Sequence, residues 1–243
     1  MGNKLPPKKE IKHLAVVGIA LLGLGNGLVV VAEQWIPSGL TALILTTLPF
    51  WMVGFESILH KGPNFNRYIF IGLFLGLSGV FLMFGKDLQH WLQGSYLLGV
   101  FALMGAVIAW SLGSIYSKYK KISVHPLMGA SIQMLIAGAL QTLLGLFLGE
   151  HNNLHLTQNG VLSFAYLVVF GSIFGYASYI YAIQHLPLSL ISTYAYINPI
   201  IALILGWYIL NEDLSINILF AVALIFSGVM MVQKGNYIIS SKK

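Results

Sequence analysis

The 243-residue chain is 57% apolar and only 8% charged, where soluble domains are about a quarter charged. That leaves too few charges to coat a water-facing surface, so lipid is the solvent around most of the chain. The net charge of +6 does not describe a nucleic-acid binder, because the lysines sit in short clusters between apolar runs and form no basic stripe. The absence of cysteine excludes disulfides, thiolate nucleophiles and Cys-ligated metals, and leaves the redox compartment undetermined.

Position 6 is Pro6, where a myristoylation signal would carry Ser or Thr. Eight apolar runs follow, each close to the roughly 20 residues that a helix needs to cross a bilayer. The first, Leu14–Ala32, is longer than the core of a signal peptide and more runs follow it, so it reads as a retained helix. It carries Asn26 in mid-run and ends at Glu33. The second, Ser38–Leu59, holds Thr46, Thr47, Pro49, Trp51 and, one turn before its end, Glu56. The third, Tyr68–Phe84, has Gly72, Gly76 and Gly79 on one face, a pattern for close helix packing. Tyr96–Tyr116 and Pro126–Leu148 are the fourth and fifth. Val161–Ala182, the sixth, carries Tyr176 and Tyr179, and Ser189–Leu210, the seventh, carries Tyr194, Asn198 and Pro199. The eighth is Ile216–Val232. None alternates apolar and polar residues as barrel strands do. Short connectors make consecutive helices antiparallel neighbours.

The basic residues orient these helices. With eight spans, twelve of the thirteen Lys and Arg fall on one side, in the two tails (1–12 and 234–243) and in the loops after the second and fourth runs. Only Lys86 falls on the other. Basic loops stay cytoplasmic, so both termini are expected inside. Reporter fusions after His90 and Asn153 should therefore read external, and a fusion within Lys118–Lys121 cytoplasmic. An external signal from that last fusion would overturn the topology.

The chain also repeats itself. At a shift of 150, Gly25, Ala32, Gln34, Pro37, Leu40 and Pro49 meet Gly175, Ala182, Gln184, Pro187, Leu190 and Pro199. One residue shorter, Ser78-Gly79-Val80 meets Ser227-Gly228-Val229. The first three runs thus correspond to the sixth, seventh and eighth. In the eight-span topology the two copies run in opposite directions, the inverted repeat of many secondary transporters, whose substrate sites lie between the halves. Runs four and five have no counterparts, so the first copy (13–85, three helices) is incomplete beside the second (95–233, five helices). An open groove is expected beside the first three helices. The fold class is an all-α polytopic membrane bundle.

Several residues could serve a pathway. Pro49 and Pro199 each free the carbonyl four residues back, at Leu45 and Ala195. The ordinary reading is a tolerated kink; the functional one is a broken helix facing a cavity. Buried Asn26 and Asn198 could bond neighbouring helices or a solute. Tyr194 and Asn198 are four apart and share a helix face. Tyr176, Tyr179 and Trp51 could wall a pocket or simply pack, and Thr46 and Thr47 could add hydroxyls. Glu33 reads as a solvated or capping carboxylate. Glu56 lies within a run, where a carboxylate is costly; it either snorkels to water or couples transport to protons. Both acids are kept as coupling candidates. His-Asn-Asn-Leu-His at 151–155 lacks the Glu of a zincin, and no phosphate-binding loop is present. No catalytic set, metal or cofactor is expected.

Gly25-Asn26-Gly27, Ala32-Glu33-Gln34, Ile36-Pro37-Ser38-Gly39, Pro49, Ser111 through Tyr116, Gly171-Ser172-Ile173, Ser192-Thr193-Tyr194-Ala195-Tyr196-Ile197-Asn198-Pro199, and Glu212 with Leu214 together resemble the EamA family of the drug/metabolite transporter superfamily, over about Leu14–Val232. Leu210-Asn211-Glu212 departs from the family's Leu-Gly-Glu. The resemblance, nearest to bacterial inner-membrane exporters, implies ten helices in two repeats, so the first two helices are expected to be lacking. It also implies export of a small organic metabolite or drug by alternating access. The partners are then the small-molecule substrate, membrane lipid and, as a candidate coupling ion, the proton, with no nucleic acid; the oligomeric state is left open. Beside this stand a flippase for a lipid-linked solute and, outside transport, a membrane enzyme or a non-functional truncated remnant.

Overall fold

The computed structural model describes residues 6–36, 38–60, 66–84, 94–120, 122–153, 157–201 and 216–240. All regular structure among them is helical. In chain order the helices are α1 (Lys8–Ala32), α2 in two pieces (Ser38–Leu45 and Leu48–His60), α3 (Arg67–Phe84), α4 (Gly94–Tyr119), α5 (Pro126–Phe147), α6 (Gln158–His185), α7 (Leu188–Ile201) and α8 (Ile216–Ser240). Four segments, Lys8–Ala32, Tyr96–Tyr119, Pro126–Phe147 and Gln158–His185, are long and apolar enough to cross a membrane. Shorter apolar helices occupy the other four runs. Residues 202–210 of the seventh run, like Glu212, lie outside the described residues.

The helices overrun the apolar stretches that announce them. α1 begins at Lys8 and α8 continues to Ser240, through parts of what the sequence presents as tails. Lys and Glu are good helix formers, and helix length is not limited to the apolar part. Outward faces are apolar: Phe147 is 87% exposed and Phe101 72%. Side chains of this kind need lipid around them.

Two packing units hold the bundle. In the first, α4 and α5 clasp α1 through small residues. A side chain at Gly18 would meet the Gln133 backbone at 2.7 Å, and one at Gly113 would meet Ala20 at 2.8 Å. Leu14, Val17 and Leu21 are consequently sealed, at 2%, 0% and 0% exposure. In the second, α3 and α8 pair along their length. A Cβ on Gly228 would meet the Gly72 carbonyl at 2.6 Å, and one on Gly79 would meet the Ala221 carbonyl at 2.7 Å. A shift of 149 carries 79 to 228 and 72 to 221, so these two contacts are the same contact seen from each helix. Such reciprocity characterises a two-fold interface.

The open face is not where the sequence analysis expects it. The groove was expected beside α1–α3, with α4–α5 packed on α6–α8. Instead α4 and α5 cover α1 along its length and meet α6 only in its C-terminal part; from Gln158 to Gly175 every residue of α6 except Ser172 is exposed. Phe164 and Leu167, which match Leu14 and Val17 at the shift of 150, are 68% and 59% exposed. The glycines on the α1–α4–α5 contacts explain the choice, since they let those backbones approach closely.

Candidate functional site

Both repeat-related long helices change pitch along their length. α1 is a π-helix over Ile19–Asn26 and α6 over Leu167–Tyr176. At the shift of 150 the first maps onto 169–176, inside the second. Wide turns of this type displace backbone groups from the usual ladder and are frequent at functional sites. One freed group finds a side chain: Gln141 Nε2 donates to the Leu22 carbonyl at 3.1 Å.

Between these turns lies a cavity of about 1520 Å³ bounded by α1, α2, α4, α5, α6 and α7. Asn26 and Gly25 line it from α1, and Gly175, Tyr176 and Tyr179 from α6. Tyr194, Asn198 and Pro199 line it from α7, and Ala42, Leu45 and Leu48 from α2. The lining is mostly apolar, with amides, hydroxyls and aromatic rings, and no described lining residue carries a charge.

The aromatic groups are held in place. Tyr179 Oη accepts from Trp110 Nε1 at 2.8 Å and shares a hydrogen bond of 2.7 Å with Ser114 Oγ. Its ring centroid lies 5.5 Å from Trp110 and 5.5 Å, edge-on, from Tyr194. Tyr179 therefore joins α4, α6 and α7. Tyr176, 5% exposed, donates to Gln133 Oε1 at 2.6 Å and joins α6 to α5. Asn198 and Asn26 are solvent-accessible on the cavity wall.

Thr46, Thr47 and Trp51 lie off the cavity. Thr46 is 1% exposed, Thr47 Oγ1 donates to the Ile44 carbonyl at 2.7 Å, and Trp51 packs on Phe55 at 5.6 Å. The prolines do not produce matching breaks either. α2 breaks at Thr46–Thr47, just before Pro49, whereas α7 breaks earlier, at Ser192–Thr193, and continues helically through Pro199. Hydroxyls decide where the chain gives way: Ser192 Oγ and Thr193 Oγ1 donate to the carbonyls of Ser189 and Leu190, at 3.1 and 2.6 Å. Such back-bonds bend helices.

The two acids part company. Glu33 is exposed in the turn after α1. Glu56 is 3% exposed and accepts a 2.7 Å hydrogen bond from Tyr119 Oη, so it does not snorkel. Sequence reasoning missed Trp110, Gln133, Gln141, Lys118 and Tyr119. The two glutamines, the only side-chain amides in the fifth run, were the available signal.

A helical bundle with a partly open, solute-sized cavity whose described lining carries no charge, flanked by a change of pitch in α1 and another in α6, has the construction of a transporter. The family profile of the EamA-like transporter family matches residues 1–85 and 97–233, and the chain belongs to that family. It is 33% identical over 243 residues to "Uncharacterized inner membrane transporter YedA" of Escherichia coli (strain K12), covering 99% of this chain and 77% of that protein. It is 27% identical over 233 residues to "Uncharacterized transporter YoaV" of Bacillus subtilis (strain 168), covering 94% and 78%. A solved structure described as "Crystal structure of protein" superposes with a TM-score of 0.79 at 19% identity, over 96% of this chain and 80% of that one. This last likeness concerns the fold alone.

Proposed function

We propose that this protein is an inner-membrane secondary transporter that exports a small organic solute by alternating access, with both termini in the cytoplasm. The observation that carries the reading is the cavity between α1, α2, α6 and α7, the helices that the repeat pairs. The reciprocal α3–α8 contact and the two π segments support an inverted relation between the copies, and such transporters bind substrate between them. The relatives named as transporters support the same class.

The proposed substrate contacts are Asn198 and Asn26 for hydrogen bonds and Tyr194, Tyr179 and Tyr176 for an aromatic wall. A lining without charge suits a solute that presents apolar or aromatic surface together with hydrogen-bonding groups. Asn198→Ala is expected to lower uptake by roughly tenfold, about the 1–2 kcal/mol of a lost hydrogen bond, in inside-out vesicles assayed with a metabolite panel. Unchanged uptake at equal expression would move the site off α7.

A further inference from the structure

Inside the bundle the cavity is sealed toward the helix ends where Lys8, Lys9, Lys12, Lys118 and Lys120 gather. Val17 of α1, Met52 of α2, Ile115 of α4, Ile183 of α6 and Leu188 of α7 pack into one apolar cluster, each at most 2% exposed, and none of them lines the cavity. On α1, α2, α4 and α7 the plug residue lies about one turn beyond the last lining residue on that side, which is Leu22, Leu48, Trp110 and Ile191 respectively. On α6 the lining runs on along one face to Leu186, while Ile183 turns into the cluster.

Just beyond this plug, the last turn of α4 binds three other helices. Tyr116 Oη shares a 2.6 Å hydrogen bond with His13 Nδ1 of α1. Lys118 Nζ donates to the carbonyl of Ile183 in α6 at 3.1 Å and to that of Leu186 just after it. Tyr119 Oη donates to Glu56 Oε1 of α2 at 2.7 Å. The lysine bonds follow from the sequence at the end of α6. The residue four beyond Ile183 is Pro187, which has no N–H to offer that carbonyl. Free C=O groups at a helix C-terminus carry negative partial charge, which an ammonium satisfies. One turn earlier on α4, Ser114 and Trp110 hold Tyr179 of the cavity wall, so one helix carries both the ties and part of the site.

We propose that the last turn of α4 is the cytoplasmic gate of the cavity, with Lys118 its principal tie. While Tyr116, Lys118 and Tyr119 hold α1, α6 and α2, the plug stays shut; release of the ties parts the helix ends and admits solute from the cytoplasm. This rests on the transporter reading and its topology. Apolar contacts are non-directional and tolerate sliding, so the directional hydrogen bonds define the closed arrangement. Charge-assisted bonds such as those of Lys118 are the stronger kind. When the ends part, the long lysine stem can carry its ammonium to water, so opening exchanges bonds for hydration and strands no charge.

The cysteine-free chain lets each side be read separately. Ser178→Cys puts one thiol on the cavity wall of α6, at an exposed lining position. Its reaction with a membrane-impermeant maleimide is followed at one pH in inside-out vesicles, for access from the cytoplasm, and in right-side-out vesicles, for access from outside. The labelling rate follows the fraction of molecules open to the reagent, so Lys118→Met in this background should raise the cytoplasmic rate at least about fivefold and leave the outside rate equal or lower. Lys118→Arg, which keeps charge and donors, should stay close to the Lys118 chain. Tyr116→Phe and Tyr119→Phe should each raise the cytoplasmic rate by a smaller factor. An unchanged cytoplasmic rate in Lys118→Met, a Lys118→Arg chain as fast as Lys118→Met, or an equal rise on both sides would overturn the proposal; the last would show general loosening of the bundle. A rise confined to right-side-out vesicles would place these helix ends outside and overturn the cytoplasmic assignment. If Lys118→Met does not accumulate in membranes, unchanged cytoplasmic rates in Tyr116→Phe and Tyr119→Phe overturn it equally. The labelling needs no solute, so its failure leaves the Asn198 test standing, and the reverse.

Discussion

Tyr179→Phe is expected to raise the solute concentration for half-maximal transport roughly tenfold to hundredfold while the protein still folds. Removing one oxygen leaves Trp110 Nε1, now at 2.8 Å from Tyr179 Oη, without its acceptor, and Ser114 Oγ loses a 2.7 Å partner. An unsatisfied buried donor costs about 1–3 kcal/mol, and every 1.4 kcal/mol is about a factor of ten in an equilibrium constant. Part of that cost is relieved if the Trp110 ring turns, but turning it breaks the 5.5 Å ring contact that also sets Tyr194 through Tyr179. Either outcome disorders the aromatic part of the cavity wall. Ser114 can fall back on the Trp110 carbonyl, which its hydroxyl already reaches at 2.7 Å, so Ser114→Ala should be milder than Tyr179→Phe. Transport kinetics of both variants in vesicles check the order. A Tyr179→Phe protein with unaltered kinetics would reduce the aromatic cluster to packing.

How much of this was legible in the sequence follows from which forces act locally. Burial of apolar helix in lipid is a one-dimensional property, so each of the eight runs holds a helix in its described part. Partner choice is not one-dimensional. Gly18, Gly113 and Gly129 are unremarkable in a chain of 26 glycines, yet the approaches at these positions put α4 and α5 on α1 and leave the N-terminal part of α6 bare. Of the residues singled out by type and spacing, Asn26, Tyr176, Tyr179, Tyr194 and Asn198 line the cavity. Proline position located the break in α2, just before Pro49, but not that in α7, where the hydroxyls of Ser192 and Thr193 bond the carbonyls of Ser189 and Leu190 and the chain breaks at Ser192–Thr193. Thr46 and Thr47 were offered as hydroxyls for the cavity because they are polar groups of the second run; the direction in which each hydroxyl points depends on a local backbone bend that the sequence pattern does not encode. Glu56 was recognised as anomalous, but its hydrogen-bond donor Tyr119 comes from α4, 63 positions away, and only the fold brings them together.

Gly228→Val should be the most damaging single substitution outside the cavity. Its Cβ would sit 2.6 Å from the Gly72 carbonyl and 2.7 Å from the Gly76 nitrogen, and both are backbone atoms that no rotamer change can move aside. Over-packing a tight contact costs about 1–3 kcal/mol and occasionally more, here with the two extra methyl groups of valine pressing on the same crossing. For a chain of this length that corresponds to a fall of roughly 5–10 °C in Tm, read by thermal unfolding in detergent. Gly79→Val should cost a similar amount, because its Cβ meets the Ala221 carbonyl and Ile225 Cγ1, each at 2.7 Å, in the reciprocal half of the same α3–α8 contact. Gly54→Ala is the control: nothing lies within 4 Å of the added carbon, and alanine favours helix by up to about 1 kcal/mol over glycine, so Tm should hold or rise. If Gly228→Val and Gly79→Val differ widely, the two halves of the contact are not energetically equivalent, and the two-fold relation between the repeats loses its support at α3 and α8.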